Sequence, residues 1–312
     1  MKRGSGEGSG LITSREWKVG IVRVGGAKIR GGSRVSGRRA DGAAVRAAGA
    51  RTDLVAVEEP LEIRIDGRPL GVTMRTPGHD EELAAGLLLA EGVIAGPEDI
   101  GSIAVCRNPR NLEERNVVTV YLREGLTPDW ERLRRSLLTN SSCGLCGKAS
   151  IESLATRAKP LPAGRARIQA ETLSSLPARL RGRQEIFAAT GGLHAAGLFS
   201  TEGELEVLRE DVGRHNAVDK VVGAMLIAKR IRQDARVLLV SGRASYEIVQ
   251  KAAVARIPIV AAVSAPSSLA VGLAKAMGVT LVGFLRGEGF NIYSHPRRID
   301  RTRARSRRSP QR

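Results

Sequence analysis

Two cysteines separated by two residues are the side chains of this chain best suited to covalent chemistry. Cys143 and Cys146 lie in the segment NSSCGLCGK, where the neighbouring glycines leave both sulfurs sterically open. Lys148 and the start of a predicted helix follow, and both favour the thiolate, which is the nucleophilic form of cysteine. The two-residue spacing lets one sulfur reach the other, so that one can receive a group while the other helps to release it.

Several kinds of thiol site can be weighed against this interpretation. A structural zinc site would need two further ligands, but only Cys106 and four scattered histidines remain. A thioredoxin-type exchanger places its thiols directly after a strand, whereas these thiols lie in a Gly/Ser-rich loop between predicted helical segments. Inert packing does not fit so polar a loop. Carriage of a group on sulfur, as a persulfide or a thioester, is therefore favoured, and a dithiol/disulfide oxidoreductase stays open as the alternative.

The composition indicates a folded chain of one or two domains. Its 312 residues are 42% hydrophobic, which is enough for a substantial core. No uncharged apolar run of about 18 residues is present, and no apolar stretch follows the basic N-terminus, so neither a membrane span nor a secretory signal is predicted. Three cysteines are too few for a disulfide scaffold. We therefore expect a cytoplasmic protein with reduced thiols.

The positive charge is concentrated at the two ends of the chain. Of the net charge of +18, residues 1–52 carry +9 and residues 296–312 carry +7, which leaves +2 for residues 53–295. Both ends are rich in Arg, Gly and Ser, which predicts flexible basic extensions. Binding of nucleic acid through these tails is the rival function from another class. Because only 3% of the residues are aromatic, base stacking is disfavoured and nucleic acid is not expected as the partner.

The first folded part, residues 53–158, is predicted to be a small α+β domain. LEIRID and GRPLGVTM surround the turn signal Asp66-Gly67, as in a β-hairpin. A helix over about 80–94 and the β-like runs IAVC and VVTVYL come next. A helical segment near 128–138 leads to the cysteine loop, and a further helix follows that loop.

The second folded part, residues 185–295, is predicted to be an α/β domain reached through a connector at 159–184 with one short helix. IFAATGGLHAAGLF and ELEVLRE predict strands, and a helix is expected after Gly213. Three apolar runs, RVLLVS, IPIVAAVS and VTLVGFL, then alternate with helices over 245–256 and 267–277. This order is typical of a buried parallel sheet with right-handed crossovers.

Small, polar and basic residues follow each of these three strands. Ligands of such sheets bind beyond the carboxyl ends of the strands, and helix N-termini there suit phosphate oxygens. Arg243 and Arg286 add positive charge. The sequence therefore predicts a phosphorylated or nucleotide ligand at this edge. The candidate binding residues are Ser241, Gly242, Arg243, Ser264, Phe284, Leu285, Arg286, Gly287, Glu288 and Gly289.

The segment EDVGRHNAVDK is unusually polar for the start of a helix. Asp211 and Asp219 flank His215 at four residues on either side, so an orienting hydrogen bond to its ring is geometrically possible. We predict that Arg214 and His215 line the ligand pocket. A cap with a solvated helix face is the structural alternative, and His194 is more typical of a core histidine than of a site residue.

The motifs together resemble the formate dehydrogenase accessory sulfurtransferase family, FdhD. The resemblance runs from about residue 55 to residue 298, so it covers most of the chain and is far more specific than the thiol pair alone. It rests on the following segments: VEEPLEIR, MRTPGHDEELAAGLLLAEGVI, SSCGLCGK, EDVGRHNAVDK, SGRASYEIVQKAA, AVSAPSSLAV, LVGF and YSHPRR.

The resemblance implies a function, partners and site roles. Proteins of that family pass sulfane sulfur from a cysteine desulfurase to the molybdenum cofactor, in its bis(molybdopterin guanine dinucleotide) form, for formate dehydrogenase. Cys143 corresponds to the persulfide-bearing cysteine, Cys146 to its partner, and 284–289 to the cofactor-binding segment. A sulfurtransferase without a permanent metal is expected, acting as a homodimer away from membranes.

The resemblance also implies a fold. The expected class is α/β, or α+β taken as a whole, with a cytidine-deaminase-like three-layer domain and a mostly parallel sheet at 185–295. The smaller α+β domain at 53–158 precedes it. Deaminase activity itself is disfavoured, because zinc deaminases need H-x-E followed by P-C-x-x-C. Here Ala195 and Ala196 follow His194, and the cysteine pair comes before it without a proline.

Overall fold

The computed structural model describes residues 16–24, 47–106, 116–131, 133, 159–162, 164, 166–229, 235–287 and 289–301, with side chains from residue 53 onward. Cys143, Cys146, the helix predicted after them and Glu288 lie outside the described residues, as does most of the helical segment predicted near 128–138.

The described residues form fourteen strands and six α-helices. The strands are β1 (Glu16–Val24), β2 (Ala47–Ala56), β3 (Glu59–Ile65), β4 (Arg68–Arg75), β5 (Ile100–Cys106), β6 (Val117–Leu122), β7 (Ile168–Gln169), β8 (His194–Ser200), β9 (Leu205–Asp211), β10 (Arg236–Val240), β11 (Ile259–Ala262), β12 (Thr280–Arg286), β13 (Gly289–Ser294) and β14 (Ile299–Asp300). The helices are α1 (Asp80–Ala90), α2 (Ala170–Arg181), α3 (Glu185–Thr190), α4 (Arg214–Ile227), α5 (Tyr246–Val254) and α6 (Ser268–Ala276). Two short 3₁₀ helices span Pro97–Asp99 and Pro296–Arg298.

The basic N-terminal segment contains regular structure that its composition did not predict. β1 and β2 pair as antiparallel strands, and β2 contacts α3. The β1 segment EWKVGIVRV is rich in β-branched residues, which favour strands. Net charge and composition do not reveal this local preference for strand structure.

A four-stranded sheet in the order β4-β3-β6-β5 forms the first folded part. The predicted β3–β4 hairpin is confirmed: Asp66 and Gly67 have φ values of 50° and 80°, as a two-residue type I′ turn requires. Alternate β3 residues Leu61, Ile63 and Ile65 are buried. Helix α1 packs with this sheet in one core, and it ends at Ala90 rather than at the predicted residue 94.

A six-stranded sheet in the order β13-β12-β11-β10-β8-β9 forms the second part. The predicted parallel pairing of β10, β11 and β12 is confirmed. The prediction of a mostly parallel sheet is wrong, because β8, β9 and β13 pair antiparallel with their neighbours. Short turns join β8 to β9 and β12 to β13, and a short turn can only join antiparallel strands.

Two further predictions for this part are corrected. The segment IFAAT, predicted as the start of a strand, is helix α3, which ends at Gly191 with φ 69°. The connector contains α2, a helix of 12 residues. Leu173, Leu176 and Leu180 of α2 are buried on one face of the sheet together with Leu239 and Ala261.

The opposite face of the large sheet carries helices α4, α5 and α6. Val218, Val222, Ile248 and Leu273 of these helices share one continuous core with strand residues and with α1. Helices therefore cover both faces of the six-stranded sheet, and α1 links it to the four-stranded sheet. Among the described residues, no helix is both long and apolar enough to cross a membrane.

Helices α1 and α4 approach closely enough for their backbones to touch. A Cβ atom on Gly86 of α1 would collide with the carbonyl oxygen of Asp219 in α4, and one on Gly223 of α4 would collide with the carbonyl oxygen of Glu82 in α1. Only glycine permits this approach. The contact fixes α4, and with it the polar segment at the start of α4, against the first part of the chain.

Candidate functional site

The predicted ligand edge forms at the carboxyl ends of the parallel strands. After β10 and β11 the loops are joined by a hydrogen bond from Ser264 N to Gly242 O of 3.3 Å and by a parallel bridge between Ala244 and Pro266. Phe284 N donates to Ser264 O at 3.1 Å. The three loops singled out from the sequence are therefore neighbours.

A cavity of about 740 Å³ opens at this edge. This volume lies within the range of small-molecule sites. The predicted residues that line it are Ser241, Leu285, Arg286 and Gly287. Residues that were not predicted, from α2, α3 and the turn before β8, form the opposite wall: Leu180, Arg181, Gln184, Phe187, Gly192 and Leu193, with His194 at the start of β8.

The structure places the other predicted residues in different surroundings. Arg243 is exposed. Leu285, although it borders the cavity, has its side chain in the core on the α2 face of the sheet. Gly289 begins β13.

Phe284 has a backbone conformation that is rare for a bulky residue. Its φ of 54° places it in the left-handed region, which is strained for any side chain that is not glycine. The register of β12 against β13 is irregular at this point. Arg286 lies over the Phe284 ring, with 5.6 Å between the guanidinium carbon and the ring centroid. Residues 285–287, which follow this irregularity, border the cavity.

His215 does not have the partners that its spacing suggested. Its Nε2 lies 2.7 Å from Glu247 Oε2 and 3.2 Å from Ser245 Oγ. Burial disfavours the charged form of Glu247, but hydrogen bonding to His215 and the nearby Lys251 and Arg214 charges hold its pKa below the usual value. The expected hydrogen bond to Asp211 or Asp219 is not formed, because both carboxylates are paired with lysines.

Those two lysine pairs are buried in the body of the molecule. Lys220 Nζ lies 2.6 Å from Asp211 Oδ2 and donates to Thr76 O at 2.8 Å. Lys251 Nζ lies 2.6 Å from Asp219 Oδ1. Lys220 therefore links α4 to the end of β9 and to Thr76 after β4. Asp219 links α4 to α5. These contacts hold the start of α4, with Arg214 and His215, in position.

Arg214 has hydrogen-bonding capacity that the described residues do not use. Its Nε is buried, and no acceptor among the described residues reaches it. A buried guanidinium N–H without a partner is costly. An anionic ligand oxygen would satisfy this donor.

His194 lies between this basic pair and the cavity. Burial lowers its pKa, and the Arg214 and His215 charges lower it further, against the opposing effect of Asp211. His194 therefore favours the neutral imidazole at neutral pH. It is half-buried and lines the cavity, where a ring nitrogen can serve as donor or acceptor.

Cys143 and Cys146, the predicted catalytic residues, lie outside the described residues. The third cysteine, Cys106, ends β5 and is half-buried. The sequence did not predict the cavity wall formed by α2 and α3, because α2 has the pattern of an ordinary amphipathic helix. No spacing of polar residues in it points to a ligand.

Together, the fold and the site define an α/β protein with a largely apolar cavity of small-molecule size at the carboxyl edge of its central sheet, where His194, Ser241 and Arg286 add polar groups. Residues 56–300 match the FdhD/NarQ family. The chain therefore belongs to the FdhD/NarQ family, and the resemblance inferred from its motifs is confirmed.

Individual relatives agree with this membership. The sulfur carrier protein FdhD of Mycobacterium bovis is 51% identical over 255 residues, which are 80% of this chain and 92% of the relative. The protein of the same name from Anaeromyxobacter dehalogenans strain 2CP-C is 49% identical over 276 residues, 86% of this chain and 96% of the relative. A crystal structure described as a formate dehydrogenase accessory protein from Desulfotalea psychrophila has a TM-score of 0.64 and 30% identity. The matched region covers 81% of this chain and 93% of the chain in that crystal structure.

Proposed function

We propose that this chain is a cytoplasmic sulfurtransferase that carries sulfane sulfur on Cys143. A cysteine desulfurase supplies the sulfur, and the acceptor is the bis(molybdopterin guanine dinucleotide) form of the molybdenum cofactor on its way into a formate dehydrogenase. The observation that carries the proposal is that relatives about half identical over most of the chain are named sulfur carrier proteins, while this chain contains a C-x-x-C pair flanked by glycines.

The sulfur step follows from thiol chemistry. The Cys143 thiolate attacks the outer sulfur of the donor persulfide, the donor's S–S bond breaks, and the donor leaves as a thiolate. Cys143 then holds a persulfide. Attack of the Cys146 thiolate on the Cys143 sulfur forms a disulfide between the two residues and releases hydrosulfide to the acceptor. A cellular dithiol must then reduce that disulfide before the next cycle.

The proposed acceptor suits the chemistry of the cavity edge. The cofactor carries phosphates, and the guanidinium of Arg286, which lines the cavity, is a donor for such oxygens. The buried Nε of Arg214 does not line the cavity, and it would serve as a second donor only for a ligand that reaches past His194. The backbone N–H groups of Gly242 and Arg243 can approach phosphate closely because Gly242 has no side chain, whereas the N–H of Ser241 already donates to Ala195 O. His215, held by Glu247 at 2.7 Å, adds a positive charge when it is protonated.

The cavity volume supports a homodimer as the working form. A volume of about 740 Å³ suits one drug-sized or nucleotide-sized group, whereas the proposed acceptor has two guanine dinucleotide halves. Two copies of the chain would offer one cavity to each half. Sedimentation of the chain with and without guanosine diphosphate would measure this association.

Intact-mass measurement tests the sulfur step. After incubation with a cysteine desulfurase and cysteine, the native chain should gain the mass of one sulfur atom, and reduction by a small thiol should remove it. Cys143→Ala should abolish the gain. Cys106→Ala is the matched control, because this third cysteine lies on β5 and should leave the gain unchanged.

Two results would count against the proposal. An undiminished sulfur adduct in the Cys143→Ala, Cys146→Ala double variant would exclude the thiol pair as the carrier. Turnover of small disulfides without any adduct on the native chain would instead support a dithiol oxidoreductase.

A further inference from the structure

Gln184 is a buried amide at the wall of the cavity. It is 5% exposed, although its neighbours Arg183 and Glu185 are exposed, and it lines the cavity. Its side chain is hydrogen-bonded to no other described residue, and its amide atoms are not sealed in the interior as Arg214 Nε is, so they face the space of the cavity. A buried amide normally has partners for both its donor and its acceptor, so the cavity is where Gln184 can find them.

The surroundings of Gln184 suit a flat ring. Phe187 lines the same cavity, and the Arg181 guanidinium lies 4.0 Å from the centroid of its ring. Leu180 and Leu193 add apolar surface to this wall. Aromatic and guanidinium faces hold planar heterocycles by stacking. Arg286 lines the cavity from the strand edge, so a ligand with a planar end and an anionic end fits both sides.

We propose that Gln184 recognises the edge of a planar heterocycle that carries an adjacent ring N–H and carbonyl oxygen. The amide NH₂ would donate to the carbonyl, and the amide oxygen would accept from the ring N–H. This inference rests on the proposed function, because it assigns the recognition of the acceptor to that cavity. Guanine and pterin share this edge, with the carbonyl at C6 of guanine and at C4 of pterin, and both occur in the proposed acceptor.

Titration calorimetry on the full chain can separate these two sources. The probes are guanosine diphosphate, the uncharged pterin neopterin, and inorganic pyrophosphate. Replacing Gln184 by Leu should weaken the binding of one heterocyclic probe by roughly tenfold or more, as expected for the loss of two hydrogen bonds. Pyrophosphate binding should change by less than about twofold, because Gln184 contacts no phosphate. The matched control is Gln169→Leu, since Gln169 is exposed and donates to Asp300.

A second variant gives a readout that a purely structural role would not move. Gln184→Glu keeps the shape of the side chain but offers only acceptors. If guanine shifts along its edge by one position, away from the carbonyl, it can donate its N1–H and 2-amino group to a carboxylate, whereas adenine presents an unprotonated N1. The ratio of guanosine diphosphate affinity to adenosine diphosphate affinity should therefore rise by roughly tenfold in this variant.

The outcomes are distinct. Weaker binding of guanosine diphosphate in Gln184→Leu assigns the amide to guanine, and weaker binding of neopterin assigns it to the pterin. Equal affinity of native and Gln184→Leu chains for both probes, or no binding of either by the native chain, overturns the inference. Sulfur loading measured on the same samples is independent of Gln184, so a missing sulfur adduct on the native chain refutes the proposed function instead.

Discussion

Acid should lower the stability of this protein through Glu82, a carboxylate that links helix α1 to the six-stranded sheet. Glu82 on α1 accepts a hydrogen bond of 2.6 Å from Arg209 Nη2 on β9. Burial raises the pKa of Glu82, but Arg209 and His79 outweigh it and lower the pKa from 4.5 to about 2. A pKa that is lower in the folded state stabilises the fold above the unfolded value of 4.5. That stabilisation is lost as the pH falls toward 2.

The size of this effect follows from the shift. At about 1.4 kcal/mol per pKa unit, a shift of this size corresponds to about 3 kcal/mol. The Glu82 side chain is 17% exposed, and screening by solvent reduces the expected contribution to about 2 kcal/mol at neutral pH. More than half of that contribution should disappear by a pH of about 3, because the unfolded carboxylate is then protonated.

Denaturant unfolding of Glu82→Gln and native protein across this pH range measures the contribution. The variant should be less stable by about 2 kcal/mol at neutral pH, and the two curves should converge in acid. Glu62→Gln is the matched control: Glu62 also pairs with an arginine, Arg64, at 2.7 Å, but this pair lies on the outer face of the small sheet and should be worth at most about 1 kcal/mol. A constant offset between native and Glu82→Gln curves at every pH would refute the reasoning.

Three further substitutions test the packing around α4 and α6, each by the free energy of unfolding. Gly223→Ala should destabilise by about 1–3 kcal/mol through overpacking against α1, although helix propensity alone predicts a gain of about 1 kcal/mol. Gly182→Ala, where the added Cβ meets its nearest atom at an ordinary 3.5 Å, should be nearly neutral, and a neutral Gly223→Ala would contradict the close approach. Lys220→Met should cost about 3–5 kcal/mol because it leaves Asp211 buried without its cation; a smaller loss than about 1 kcal/mol would mean that water reaches the carboxylate. Ser267→Ala should cost about 1 kcal/mol, since Ser267 Oγ accepts from Ala270 N at the start of α6, and no change would show that the cap is dispensable.

Local sequence signals were sufficient wherever a short segment determines its own structure. The turn at Asp66 and Gly67 has two positive φ angles, and an Asp-Gly pair between two apolar segments already predicts such a turn. The buried runs of β10, β11 and β12 are apolar on both faces, and this pattern is typical of parallel strands. The three polar loops at one sheet edge followed from the same rule.

The sequence alone could not determine which distant residues would become partners. Asp211, Asp219 and His215 have a spacing that suits one another, but the fold brings Lys220, Lys251 and Glu247 nearer.

By itself, the sequence determined the family and the strands of the parallel core, and it predicted the thiol chemistry and an anion-binding edge, because each depends on residue types at short spacing. Only the tertiary structure decided that α2 and α3 would close a cavity over that edge, with Gln184 buried in its wall. It also decided that Arg214 would keep a buried donor without a described partner. Those features depend on which surfaces come into contact after folding, and a local sequence pattern does not predict contacts between distant segments.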